Sequence, residues 1–129
     1  MKIKLETFIA VFPGIKAVYD VMPEFARMQE LADSYSEAKK CNALYEERKE
    51  KLMPIPDKDG NVLTKDFYAA EKELAKMLKE EIELKRPPQF TEEECEVAAK
   101  NRTLLGSVYE AMRPYFIAKA SPKETEDKK

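Results

Sequence analysis

A chain of 129 residues with 43% apolar side chains has the length of one domain and enough material for a core without disulfide or metal support. Its 23 basic residues against 25 acidic ones leave a formal charge of −2 with no basic stripe, so the electrostatic footprint of a nucleic-acid-binding protein is missing. No apolar run approaches the ~18 residues of a membrane span, and the charged start Met1-Lys2-Ile3-Lys4-Leu5-Glu6 makes a poor signal-peptide core, so a cytoplasmic protein is expected.

Lys2-Ile3-Lys4-Leu5 alternates charged and apolar side chains, the period of a half-buried strand. Glu81-Ile82-Glu83-Leu84 repeats the alternation with the opposite charge. Paired as a ribbon, the two would set Lys against Glu on the solvent side. The second stretch also reads as the last turn of a helix. Glu6 to Phe12 is a short apolar segment that Pro13-Gly14 is expected to stop, and Ile15 to Val21 adds one or two helical turns.

The stretch from Met22 to Leu52 is expected to be the element along which the rest of the chain returns. Met28, Leu31, Tyr35, Ala38, Asn42, Tyr45 and Leu52 fall at three- and four-residue steps, with Lys49 on the one missing rung. About thirty residues at 1.5 Å rise make a rod of roughly 45 Å. Pro23 suits its first position, and Glu24 suits the positive end of its dipole. Arg27, Glu30, Asp33, Glu37, Lys40 and Glu47 form the opposite, solvated face. Asn42 interrupts the apolar seam, either fixing the register of a homodimer or sitting at the rim with its amide in water.

Pro54, Pro56 and Asp57-Lys58-Asp59-Gly60-Asn61 end the rod and turn the chain. Thr64 or Asp66 is expected to cap a second helix through Lys79, with the stripe Phe67, Ala70, Leu74, Met77, Leu78 and Ile82. The two helices then form an antiparallel hairpin. Lys85-Arg86-Pro87-Pro88-Gln89 is an extended connector, and Thr91 with Glu94 is a capping box that opens a third helix. That helix runs through Cys95, Ala98, Leu105, Val108 and Met112 with a break around Asn101 to Gly106, and Pro114 is expected to end it. Tyr115-Phe116-Ile117 is a last apolar patch to dock. Residues 1–120 are thus one mainly α domain: a long antiparallel helical hairpin plus a C-terminal helix, with the small ribbon of 2–5 and 81–84 if the latter is extended. Residues 121–129 are a polar tail expected to be disordered.

The chain has no histidine, which removes the side chain most used as a general base and metal ligand near neutral pH. Cys41 and Cys95 lie on separate helices and are expected to be reduced. Cys95 sits in the first turn of its helix, where the dipole lowers a thiol pKa, but Glu92, Glu93, Glu94 and Glu96 push it back up. The Asp57-x-Asp59-Gly60-Asn61 run matches a turn better than a calcium loop, because alignment on Gly60 puts Ile55 at the first ligand position. Glutamate clusters sit on solvated faces or helix starts. No catalytic, cofactor-binding or metal-binding constellation is expected, and the chain reads as non-enzymatic.

Met22-Pro23, the Glu-rich helix ending Leu44-Tyr45-Glu46-Glu47-Arg48-Lys49-Glu50-Lys51-Leu52, the Asp57-Lys58-Asp59-Gly60-Asn61 turn and the return through Glu73-Leu74, Met77-Leu78 and Glu80 to Leu84 follow one another in order. In this order the chain is similar to small uncharacterised helical-hairpin proteins of tailed bacteriophages and prophages. The resemblance covers residues 22–84 and carries no activity onto particular residues. It implies a phage-encoded protein in the host cytoplasm or associated with the virion.

Three functions are weighed; a carboxylate- or thiol-dependent hydrolase would need a concave pocket holding at least two titratable groups with displaced pKa values, and two others fit these features better. One is a protein–protein interaction protein, an assembly or minor structural factor or an adaptor, with a phage structural protein or a host protein as partner. Its candidate surface is Tyr35, Asn42, Leu44 and Tyr45, since aromatic residues dominate interface hot spots; the same spacing equally suits a core. The alternative is an inhibitor of a host or defence enzyme acting through the acidic Glu92, Glu93 and Glu96.

Overall fold

The Lys2-Ile3-Lys4 alternation does form a strand. In the computed structural model, which describes residues 1–101 and 104–118, β1 (Lys2–Lys4) pairs antiparallel with β2 (Glu81–Glu83). Lys2 faces Glu83, Ile3 faces Ile82 and Lys4 faces Glu81, so unlike charges meet across the ribbon while Ile3 is buried. The helical alternative for 81–84 is excluded. Leu5 and Leu84 lie just outside the ladder and are buried, with the Leu5 N–H donating to the Glu80 carbonyl (2.8 Å).

From Leu5 the chain enters α1 (Leu5–Asp20) directly, and Pro13-Gly14 does not stop it. Proline inside a helix frees only the carbonyl four residues back. Here that is Ile9, and Pro13 itself is exposed, so its ring lies on the solvent side of the helix. Phe8, Val11, Phe12, Ile15 and Val18 are buried along the same helix, and their burial outweighs one hydrogen bond. Gly14 serves packing instead of turning. A Cβ there would stand 2.5 Å from Met112 Sδ and 2.5 Å from Val108 Cγ1, so the missing side chain is what lets a later helix approach.

Five helices complete the order: α1, α2 (Phe25–Leu52), α3 (Thr64–Leu78), α4 (Glu92–Lys100) and α5 (Gly106–Phe116). α1 packs against each of the other four. It, and not the long α2, is the centre of the fold. The reason lies in composition: α1 buries apolar residues on several sides, whereas α2 buries only Leu31, Tyr35, Ala38 and Tyr45.

α2 begins at Phe25, three residues after Met22. Pro23 disfavours helical geometry at Met22, whose N–H instead closes the end of α1 on the Tyr19 carbonyl. Pro23 therefore belongs to the link and Glu24 is the extended N-cap. Tyr35 stacks on Tyr19 with ring centroids 4.1 Å apart. In the following loop Asp57 Oδ1 accepts the N–H groups of Asp59 and Asn61, each at 2.9 Å, and Gly60 takes φ 82°, which closes the expected turn. Neither Thr64 nor Asp66 caps α3. Leu63 holds the extended N-cap position without a side-chain bond, and its carbonyl accepts the N–H groups of Asp66 and Phe67, each at 3.0 Å.

The return along α2 is antiparallel, and its fastenings show the direction. Glu37 accepts the backbone N–H groups of Lys85 (2.6 Å) and Arg86 (2.7 Å). Asp33 pairs with the Arg86 guanidinium (3.0 Å), and Arg27 donates to the Gln89 carbonyl (2.7 Å) and to Glu94 (2.6 Å). Partners on α2 step down in number as the returning chain steps up. Arg27, Asp33 and Glu37, read from sequence as solvated, thus hold the connector. Arg27 and Glu94 are 25% and 15% exposed, so their charge-assisted bonds belong to the stronger class, about 1.5–3 kcal/mol.

The Thr91–Glu94 capping box is complete in both directions, and Glu94 serves it and Arg27 together. The break after Asn101 also occurs, and it shifts the helical phase. Leu104 enters the core and Leu105 becomes the exposed N-cap of α5, the reverse of the expected stripe. Pro114 does not end α5. It lies in the last turn, where the single carbonyl it frees is that of exposed Glu110, and two further residues of helix deliver Phe116 to the core. Phe90 and Ile117 form an isolated parallel bridge that seals this end. Among the described residues the buried set contains no polar or charged side chain. The expected polar tail lies outside the described residues.

Candidate interaction surface

α2 and α3 enclose a cleft because their apolar stripes do not match in length. On α2 the stripe gives out after Tyr45, since the next rung is Lys49, whose ammonium lies 5.9 Å from the Tyr45 ring centre. On α3 only Ala70 is buried, and Leu74, Met77 and Leu78 remain half-buried. The cleft between them measures about 720 Å³, with Leu44, Tyr45 and Leu52 on one wall, Met77 on the other, and Leu5 and Ile82 at its base. Arg48, Lys76, Glu73 and Glu80 stand around it, Lys76 and Glu73 paired at 3.8 Å.

Beyond the cleft the hairpin ends in an apolar tip. Ile55 is 92% exposed, Leu63 64% and Tyr68 63%, while Phe67 and Met53 are also exposed. The Phe67 and Tyr68 rings lie 6.1 Å apart. The turn closes on the Asp57 N–H to Asn61 carbonyl bond (2.9 Å), which brings the Ile55 and Leu63 ends of the loop back to one another. Five exposed apolar side chains flanking one polar turn are more than single scattered surface hydrophobics.

The sequence-derived surface residues separate. Leu44 lies 62% exposed on the cleft wall. Tyr45 lines the cleft but is buried, and Asn42 is half-buried on the same helix. Tyr35 is in the core against Tyr19, with Lys39 over its ring at 5.1 Å, so it is no anchor. Sequence reasoning missed Ile55, Leu63, Phe67 and Tyr68 as surface. Their signal was present: a turn needs no apolar residues, yet Met53, Ile55, Val62 and Leu63 flank this one.

Glu92, Glu93 and Glu96 do come together, at the mouth of a second cleft of about 420 Å³ between α4 and α5. Cys95, Leu104 and Tyr109 line it. Arg113 offsets the acidity, lying 3.8 Å from Glu92 and over the Tyr109 ring at 4.9 Å. Burial, then Glu94 and Glu92, push the Cys95 thiol up to about 11. Sequence reasoning had the glutamates, but the larger cause is burial. Cys41, half-buried, is raised by burial and by Glu37. Both cysteines are free thiols.

Raised pKa values lower the thiolate fraction of both cysteines at neutral pH, and iodoacetamide is expected to label them more slowly in the native protein than after denaturation. The linkage has a definite sign. A folded thiol titrating near 11 instead of at the ordinary 9.0 holds its proton where the unfolded chain loses it. The Cys95 contribution is therefore complete below pH 9.0 and is lost as pH rises through about 11. Urea titrations across that window should show stability falling, with a shallower fall in Cys95→Ala.

These features define a mainly helical protein with one small antiparallel ribbon and an open helical-hairpin face. Among the described residues no helix is long and apolar enough to cross a membrane. No family model, no curated protein and no solved structure matches the chain.

Proposed function

We propose that the chain is a non-enzymatic protein–protein interaction protein, phage- or prophage-encoded, that serves particle assembly or acts as a minor structural factor through its α2–α3 face. One observation carries the reading: the core is completed around α1, yet the hairpin leaves Leu44 on the cleft wall and Met53, Ile55, Leu63, Phe67 and Tyr68 beside its turn exposed. Exposed apolar surface of that extent opposes solubility and persists where a partner covers it. The ordered resemblance over residues 22–84 supports the phage origin, with a location in the host cytoplasm or on the virion.

The test is a tagged pull-down from infected or lysogenic host cells at low and moderate salt, run beside Phe67→Asp. Capsid, portal or tail proteins recovered at both salts, and lost with Phe67→Asp, are the expected result. A single host enzyme released by salt, and lost when Glu92, Glu93 and Glu96 become Gln, would replace this reading with an inhibitor acting through the acidic α4 surface.

A further inference from the structure

We infer that the Asp59–Gly60 bond is a modification site, where aspartate isomerises spontaneously to isoaspartate at a rate that the bonds made by Asp57 hold down. This goes beyond the proposed function and stands or falls separately from it.

Three observations single out this bond. First, the reaction needs a backbone nitrogen with no side chain beside it. That nitrogen, on the residue after the aspartate, attacks the side-chain carbonyl carbon, and a Cβ on the same residue crowds the approach. Gly60 follows Asp59, whereas every other Asp or Asn in the chain precedes a residue with a side chain. A Cβ placed at Gly60 would meet nothing within 4 Å, so there is room for a ring and for the water that opens it.

Second, nothing holds the reacting carboxyl. Asp59 is exposed, and among the described residues its carboxylate has no hydrogen-bond or ion-pair partner. Asp20 is paired with Lys16 and Asp33 with Arg86. Asp33, Asn42 and Asp66 also lie within helices, where the next N–H is committed to the preceding turn.

Third, the attacking nitrogen is latched. The Gly60 N–H donates to the Asp57 carbonyl (2.9 Å), and Asp57 Oδ1 accepts the N–H groups of Asp59 and Asn61. The nitrogen reaches the carboxyl only when these bonds open. An exposed turn opens at far lower free energy than a core element, so the reaction is slow and still accessible in the folded chain.

The chemistry balances with water as the one reagent. The Gly60 nitrogen loses its proton and bonds to Cγ of the protonated Asp59 carboxyl group. The carboxyl hydroxyl leaves with that proton as water, which closes a cyclic imide. Water then opens the ring at either carbonyl. Opening at Cγ returns aspartate. Opening at the main-chain carbonyl leaves a free α-carboxylate and a backbone routed through Cβ and Cγ. That backbone is one atom longer, so the Asp57–Asn61 closure between α2 and α3 cannot be kept unchanged.

Incubating the full chain for weeks at neutral pH and physiological temperature tests this. Endoproteinase Asp-N cuts before aspartate and not before isoaspartate. Cleavage before residue 59 should therefore fall with time while cleavage before Asp57 persists. The peptide left uncut should keep its mass and accept a methyl group from S-adenosylmethionine when isoaspartyl methyltransferase is added. Asp57→Ala should raise the rate about fivefold by removing two of the latching bonds. Asp57→Asn keeps a side-chain acceptor and should stay near the wild-type rate, and Asp59→Glu should abolish methyl acceptance by this peptide. No isoaspartate at residue 59, faster isoaspartate formation at another described residue, or an unchanged rate in Asp57→Ala overturns the proposal. Partner capture by freshly made protein is a separate readout, so either reading can fail alone.

Discussion

Phe8→Ala is expected to cost about 3–5 kcal/mol, a large share of the ~5–15 kcal/mol that holds a domain of this size. Phe8 is fully buried in α1, its ring 5.8 Å from that of Phe12, and α1 touches every other helix. Truncation therefore opens a cavity in the helix that touches all the others, where close packing leaves little freedom to collapse. Leu44→Ala, on the longer α2, removes a side chain that is 62% exposed and should stay within about 0.5 kcal/mol of wild type. Urea unfolding followed by circular dichroism compares the two. Similar losses for both would mean that α2 carries the core after all.

Gly14→Val is expected to cost about 3 kcal/mol. Any Cβ at this position stands 2.5 Å from Val108 Cγ1 and Met112 Sδ, and 3.2 Å from Leu104 Cδ1. Met112 is fully buried and has no room to withdraw, while Val108 is stiff at its first side-chain torsion. Overpacking of this kind costs about 1–3 kcal/mol per site, and the added methyls of valine put it at the upper end. Gly14→Ala should lose less, because alanine regains about 1 kcal/mol of helix propensity. Val108→Ala in the Gly14→Ala background should recover part of the loss, with a coupling of about 0.5–3 kcal/mol expected of residues in contact. A Gly14→Ala protein at least as stable as wild type would show that the α1–α5 approach does not need the glycine.

Both variants act on α1, the element that sequence reasoning divided in two. Pro13-Gly14 is a strong turn signal in a chain read by itself. It loses to burial here because the proline ring faces water and the glycine faces α5, and neither direction is visible from α1 alone. Pro114 failed as a terminator for the same reason. The stripe of α2 was legible, and so were the capping box, the Asp57–Asn61 turn and the ribbon with its Lys–Glu pairing, since each depends on residues a few positions apart or on matched alternation.

The candidate surface divides along the same line. That Tyr45 lies on the apolar stripe of α2 and Leu44 beside it does not was readable, but how much of either stays exposed depends on how far α3 and the ribbon reach along α2. Tyr35 became core because Tyr19 from α1 stacks on it. Arg27, Asp33 and Glu37 became fastenings because the connector crosses the face they occupy.

By itself the sequence determined the helical class, most helix locations, the turn chemistry and the antiparallel return, all set by local periodicity and backbone preference. Tertiary structure alone decided that α1 is the centre, that two prolines are absorbed in helices, and that the hairpin tip stays apolar and open. Those outcomes depend on what packs against each face, and burial free energy, which exceeds any single propensity or hydrogen bond, is a property of the assembled elements.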